Sequence, residues 1–173
     1  MTGTKTLRVI LAVMLIFNIA AMTGCKEELP EYENIVKAID SYHETYSAYR
    51  QVGDANMTDI TNDQATRIDG TPCTSYYIRS GDGRFETVTL EYEKNDILTV
   101  DEYFYLSENA FYVVTSYLDT ETMSPVITKY YNWKGTFYLL DEVSSSLVAT
   151  DGAQTSGYYS SFPELAAAYS KQP

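Results

Sequence analysis

The side chains best suited to metal ligation or thiol chemistry are scarce in this chain: one histidine, His43, and two cysteines, Cys25 and Cys73. A tetrahedral metal site takes four such ligands, more than the chain supplies, and a thiol nucleophile needs a base beside it, which requires that His43 and Cys73 meet in space. The Gly-x-Ser-x-Gly, Gly-x-x-x-x-Gly-Lys and His-Glu-x-x-His motifs are missing from the sequence. Carboxylates are plentiful, with 24 Asp and Glu. Glu91/Glu93, Asp101/Glu102 and Asp119/Glu121 fall in or beside strand-like runs, where they could offer oxygen ligands to a hard cation. No Asp/Asn/Gly calcium loop accompanies them, and a solvated acidic face is the simpler reading. The expectation is a chain without catalytic residues, metal or cofactor.

Cys25 has a different context. From Val9 to Met22 the only polar side chain is Asn18, and Lys5 and Arg8 precede the run. Fourteen residues are too few for a spanning helix, which takes about 20, but a basic stretch, a short apolar run and small residues before a cut site make a secretory signal. The run closes on Met22-Thr23-Gly24-Cys25. This segment resembles the lipobox of bacterial lipoproteins, with Met22 where Leu is usual and Thr23 where Ala or Ser is usual. The resemblance covers residues 1 to 25 only. It implies cleavage between Gly24 and Cys25, a diacylglycerol on the Cys25 thiol, and a protein exported and lipid-anchored to the outer face of a bacterial membrane. Two acyl chains hold a protein stably, each buried methylene contributing about 0.8 kcal/mol.

Loss of residues 1–24 would leave 149 residues, enough for one compact domain. Residues 25–31 form the lipidated cysteine and a short tether, and 32–173 the domain. Lys5 and Arg8 would leave with the signal and no acid would, so ten basic residues would face 24 acidic ones, formally −14. Such a surface repels phosphate backbones and anionic headgroups, which argues against nucleic-acid partners. Cys73 would have no internal partner and is expected buried and chemically quiet.

The elements follow from periodicity. Tyr32, Ile35, Val36, Ile39, Tyr42, Tyr46 and Tyr49 recur at three- and four-residue spacing, one face of a helix over 31–50. His43 lies beside that stripe, as a boundary histidine with a solvent or backbone partner. Residues 53–63 read as a polar loop. Runs rich in Tyr, Val, Ile, Thr and Phe then predict strands near 65–69, 74–80, 84–93, 97–106, 110–119, 126–133, 136–141 and 146–150. Asp69-Gly70, Gly81-Asp82-Gly83, Lys94-Asn95-Asp96, Ser107-Glu108-Asn109, Ser124-Pro125 and Lys134-Gly135 punctuate them as tight turns. Ser161-Phe162-Pro163-Glu164 has the spacing of a capping box before a short C-terminal helix. Strand follows strand with no helix between, so the fold expected is α+β: an N-terminal amphipathic helix packed on a curved antiparallel β-meander, with a short C-terminal helix.

Alternation places Val88, Leu90 and Tyr92 on one face, and Leu98, Val100, Phe104 and Leu106 opposite Thr99, Asp101, Tyr103 and Tyr105. The aliphatic sets are taken as core and as the landing surface of the helix, leaving Tyr103, Tyr105 and Tyr130 as a candidate recognition surface on an open face. With 17 tyrosines in the chain, such a surface suits a binding protein. The expected function is a non-enzymatic cell-envelope lipoprotein that binds an envelope protein, a glycan or a small ligand. The alternative is a carrier of a hydrophobic molecule in a half-barrel cavity, by analogy of fold alone; a carboxylate-based enzyme is third.

Overall fold

The computed structural model describes residues 28–52, 57–81 and 86–170. Gly24, Cys25 and the turn residues Asp82 and Gly83 lie outside them. Eight antiparallel strands form one sheet in strict sequence order: β1 (Met57–Thr66), β2 (Pro72–Ser80), β3 (Glu86–Lys94), β4 (Ile97–Ser107), β5 (Ala110–Asp119), β6 (Ser124–Trp133), β7 (Thr136–Asp141) and β8 (Ser146–Ala149). Helix α1 (Tyr32–Val52) precedes the sheet and α2 (Phe162–Tyr169) follows it. The α+β class and the antiparallel meander are as expected.

Turn chemistry sets the hairpins. Lys94 pairs with Ile97 across Asn95 and Asp96, both at positive φ (53° and 61°). That is the two-residue loop whose twist matches the strands it joins, and Asn and Asp tolerate it better than most residues. Lys134 (φ 50°) and Gly135 (φ 85°) do the same between Trp133 and Thr136. At the C-terminus, Ser161 accepts a hydrogen bond from the Glu164 N–H at 3.4 Å, the cap its spacing predicts.

Register decides the faces. Val88 stands opposite Tyr103 and Leu90 opposite Asp101. Cross-strand partners share a face, so the aliphatic residues of β3 lie with Tyr103, not with Phe104. The sheet therefore carries two cores. On one face Ile35 and Ile39 of α1 share a cluster with Phe104, Ala110, Tyr112, Tyr131 and Leu140. On the other, Tyr77, Val88, Leu90, Tyr103, Phe111 and Val113 pack with Phe162, Leu165 and Tyr169 of α2. The face expected to be open is covered by the C-terminal segment.

Three expectations are corrected. Tyr103 is 1% exposed and is core, not recognition surface. Tyr105 and Tyr130 are half-buried: the Tyr105 ring meets Phe162 at 5.4 Å between centroids, and that of Tyr130 meets Tyr158 at 5.6 Å. The first strand begins at Met57 rather than near 65, so most of the stretch assigned to a loop pairs with β2. β1 lies at the edge of the sheet; Ala65 is its only buried residue, and a bulge between Asn62 and Ala65 breaks its alternation, leaving no apolar period to read. By contrast Ala110, Phe111, Tyr112 and Val113 of β5 are all buried, as a strand covered on both sides requires.

Because Tyr103 is core, Tyr103→Ala should cost about 3–5 kcal/mol, the usual loss for deleting a buried aromatic. Leu98→Ala, at a position 61% exposed, should stay within about 0.5 kcal/mol. Urea unfolding of the two variants tests the assignment of faces, which fails if Tyr103→Ala is neutral.

Candidate functional site

On the face covered by the C-terminal segment, one end carries a polar cluster instead of an apolar core. Register places Leu90, Asp101 and Thr115 across β3, β4 and β5, and Tyr92, Thr99 and Tyr117 one pleat further along. Asp101 is fully buried in the middle of its strand, where an unpaired carboxylate would be very costly. Three groups meet it. Thr115 Oγ1 donates to Asp101 Oδ1 at 2.6 Å. Tyr92 adds a hydrogen bond from its hydroxyl. Arg67 Nη2 lies 3.2 Å from Asp101 Oδ2, close enough for an ion pair though not aligned as a hydrogen bond.

Arg67 reaches this position from the turn after β1. Its N–H bonds the Thr71 carbonyl at 2.8 Å, the Gly70 N–H returns to its carbonyl at 2.9 Å, and Gly70 takes the positive φ (87°) that the reversal needs. Asp69 Oδ1 accepts from the Thr71 N–H at 3.0 Å while Oδ2 pairs with Arg67 Nη1 at 3.2 Å. The guanidinium lies 3.8 Å above the Tyr92 ring and donates through Nη2 to the Gly157 carbonyl at 3.2 Å. Both terminal nitrogens are thus occupied; Nε has no acceptor.

The C-terminal segment closes the cluster. Gly157 sits so near that a Cβ there would stand 2.8 Å from Arg67 Nη2 and 3.2 Å from Asp69 Oδ2. The Tyr158 hydroxyl is 2.7 Å from Thr115 Oγ1. Thr115 has one proton and gives it to the carboxylate, so Tyr158 must donate to Thr115, and the relay runs Tyr158 to Thr115 to Asp101. Burial raises Asp101 above the usual carboxylate range, against the pull of Thr115 and Arg67. Burial also works against the charge of Arg67, yet Asp101 and its neighbours hold the guanidinium protonated. For Asp69, burial pushes upward but the bonds from Thr71 and the charge of Arg67 carry it below the usual range.

Beside this cluster opens a cleft of about 340 Å³. Its floor includes Arg67, Thr115 and Tyr158, and its mouth Lys94, Tyr117 and Gln154. The volume lies at the lower end of the range for small-molecule sites. Compared with known families, curated proteins and solved structures, the chain gives no match.

The carboxylate pairs singled out in the sequence do not converge here. Asp101 and Glu102, as neighbours in a strand, face opposite sides. Glu91 accepts from the Tyr76 hydroxyl at 3.2 Å, and Asp119 from the N–H groups of Glu121 and Thr122. Among the described residues no group of three His, Cys, Asp or Glu is placed to hold a metal. His43 meets rings rather than a backbone partner, with Phe104 at 4.9 Å and Tyr112 at 6.0 Å between centroids, and burial lowers its pKa. Cys73 is buried, and burial raises its thiol pKa. Sequence reasoning misses Arg67, Gly157 and Tyr158: Arg67 falls in the strand predicted at 65–69, and the others in the Ser- and Gly-containing stretch of 151–161, for which no element is predicted.

Gly157→Ala should therefore cost about 1–3 kcal/mol by overpacking, with Arg67 displaced from Asp69 and Asp101; a variant with unchanged thermal stability would refute the close fit. The pH dependence has a defined sign. Asp69, Asp119 and Asp141 are lowered by hydrogen bonds, so each contributes stability that is present above the unfolded value and lost as pH falls through the folded one. Asp101 is raised, and its contribution is instead present at low pH and lost as pH rises. Asp101→Asn removes that opposing contribution. Its urea midpoint should fall more steeply than that of the wild type as pH drops toward the ordinary carboxylate value of 3.8, because just above that value wild-type Asp101 takes up its proton in the folded state before the unfolded one does; an equal or shallower slope there contradicts the assignment.

Proposed function

We propose that this chain is an exported lipoprotein, held to the outer face of a bacterial membrane through Cys25, whose domain is a non-enzymatic module that binds a small polar ligand in the cleft beside Arg67. The observation that carries the binding role is the cleft itself: a concavity of ligand size whose polar floor is fixed by buried pairs rather than by mobile surface side chains. The anchoring rests on Gly24-Cys25 after the apolar run. Five residues, Lys26 to Pro30, separate Cys25 from Glu31 at the start of the domain; fully extended they span at most about 20 Å, which would keep the cleft close to the membrane.

The hydrophobic-carrier reading needs a curved sheet around an apolar hollow. Arg67, Asp69, Thr99 and Thr115 line this one, and an apolar ligand would take these polar and charged groups out of water with nothing in return. That lining favours the polar-ligand reading.

Wild-type protein should incorporate labelled palmitate and sediment with membranes, and Cys25→Ala should do neither; labelling that survives Cys25→Ala removes the anchor from the proposal. For the binding role, Ala153→Trp at the exposed rim of the cleft should abolish retention of any small molecule that native mass spectrometry detects on the wild-type protein. Retention unaffected by that change means that the cleft is not the site.

A further inference from the structure

The cleft's chemistry narrows its ligand. Arg67 is the cation at the floor, but its Nη atoms are already taken by Asp69, Asp101 and the Gly157 carbonyl. Nε has no acceptor but is buried, so the guanidinium offers the cleft no exposed pair of free N–H groups with which to grip a carboxylate or phosphate. Nor is the floor a cation site, since Arg67 itself occupies it. The lining carries Arg67, Lys94 and Asp69; Asp101, buried beneath it and paired with Arg67, supplies the second negative charge that balances the two cations.

The hydroxyl at the floor is also specified. Tyr158 has given its proton to Thr115, so its oxygen offers the cleft an acceptor and no donor. Burial raises the Tyr158 pKa, which keeps that proton in place. A ligand must therefore bring a donor. Gln154 and Asn95, both exposed at the mouth, supply amides that donate and accept together. Tyr117, 37% exposed and lining the same opening, offers an aromatic face with Ile97 beside it. An aromatic platform, planar amides and a committed hydroxyl around a volume with no net charge match one ligand chemistry: a ring with hydroxyl donors on its rim and apolar C–H groups on its face.

On the reading that the cleft is a binding site, we infer that it takes an uncharged saccharide, with a sugar ring laid on Tyr117 and a hydroxyl donating to Tyr158. Anionic and cationic sugars are excluded by the same charge balance. The neighbouring strand pair supplies the rest of the wall through the Lys94-Asn95 turn, whose positive-φ geometry holds Asn95 at the mouth.

The test is isothermal titration of the full-length protein, in a detergent free of sugar, with maltose, cellobiose and lactose, and with glucuronate and glucosamine as charged comparators. The expected result is saturable binding of at least one neutral disaccharide, no binding of the charged sugars, weakening of about tenfold in Tyr117→Ala, and loss in Ala153→Trp. A tenfold change corresponds to about 1.4 kcal/mol, within reach of one aromatic contact. Tighter binding of glucuronate or glucosamine that Ala153→Trp blocks would overturn the saccharide class while leaving the cleft as a site. Native mass spectrometry of the same preparations supplies the other arm. A retained molecule that is not a sugar and is lost in Ala153→Trp likewise overturns the inference alone, whereas sugar binding indifferent to both variants overturns the inference and the cleft together. No binding of any sugar overturns the inference.

Discussion

A carboxylate with no exposure at the centre of a strand is the constraint from which much of this domain follows. Asp101 cannot be charged there without partners, and β3 to β5 supply only Thr115 and Tyr92. The cation comes from a turn 34 residues earlier in the chain, and the carbonyl that fixes the cation comes from Gly157, 90 residues beyond Arg67. One buried charge thus ties the first turn of the sheet and the C-terminal segment to the middle of β4. Replacing such a pair by apolar residues is often neutral or stabilising in other proteins, so net stability is a weak reason for its presence. What it does here is specify position: Gly157 and Tyr158 fit over β4 and β5 in one register, and the cleft is the space beside that fit.

The two faces of the sheet are closed by different means. Residues of α1, long and marked by its stripe, pack with aromatic side chains from β4, β5 and β6. The opposite face is closed by an irregular segment and a helix of eight residues. Tyr158 takes the central place there, its ring within 5.6–6.1 Å of Tyr130, Phe137 and Tyr103 between centroids, while its hydroxyl reaches the polar cluster. A tyrosine can do both because it joins an apolar body to a polar tip. Tyr77, Tyr92, Tyr103, Tyr112, Tyr131 and Tyr169 are buried, in one or other of the two cores, so tyrosine here is as much a core residue as a boundary one.

The elements were legible because each depends on local chemistry. The helix stripe from Tyr32, the paired turn residues Asn95-Asp96 and Lys134-Gly135, and the cap at Ser161 all act within a few residues of themselves. The strand β1 was not, because an edge strand with a bulge buries too little to show a period. The faces were half legible: alternation gave the sets within each strand correctly but not how the sets of neighbouring strands combine, and the pairing of Val88 with Tyr103 depends on a register that no single strand encodes. The cleft was least legible of all. Arg67, Asp101 and Gly157 are unremarkable where they stand in sequence, and only the topology of the meander brings them together.

Strand length explains why any of either face is left uncovered. β4 has eleven residues and extends about 36 Å, whereas α2 has eight and extends about 12 Å. The C-terminal cover therefore cannot run the length of the strands it lies on. The first residue of α2, Phe162, packs on Phe111 and its last, Tyr169, donates to the Thr66 carbonyl over β1 and β2, which leaves the Thr99 and Tyr117 end of β4 and β5 to the segment around Gly157. On the other face, Ile35 and Ile39 of α1 share a cluster with Phe104, Ala110, Tyr112, Tyr131 and Leu140, from four neighbouring strands. Leu98, Leu118 and Ile127 are exposed on that face, at the same end of the sheet. Both faces thus run out of cover together. The aliphatic side chains at that end stay exposed, but on the opposite side the buried charge of Asp101 forces polar groups to converge, and the same shortfall of cover becomes a cleft with a defined chemistry.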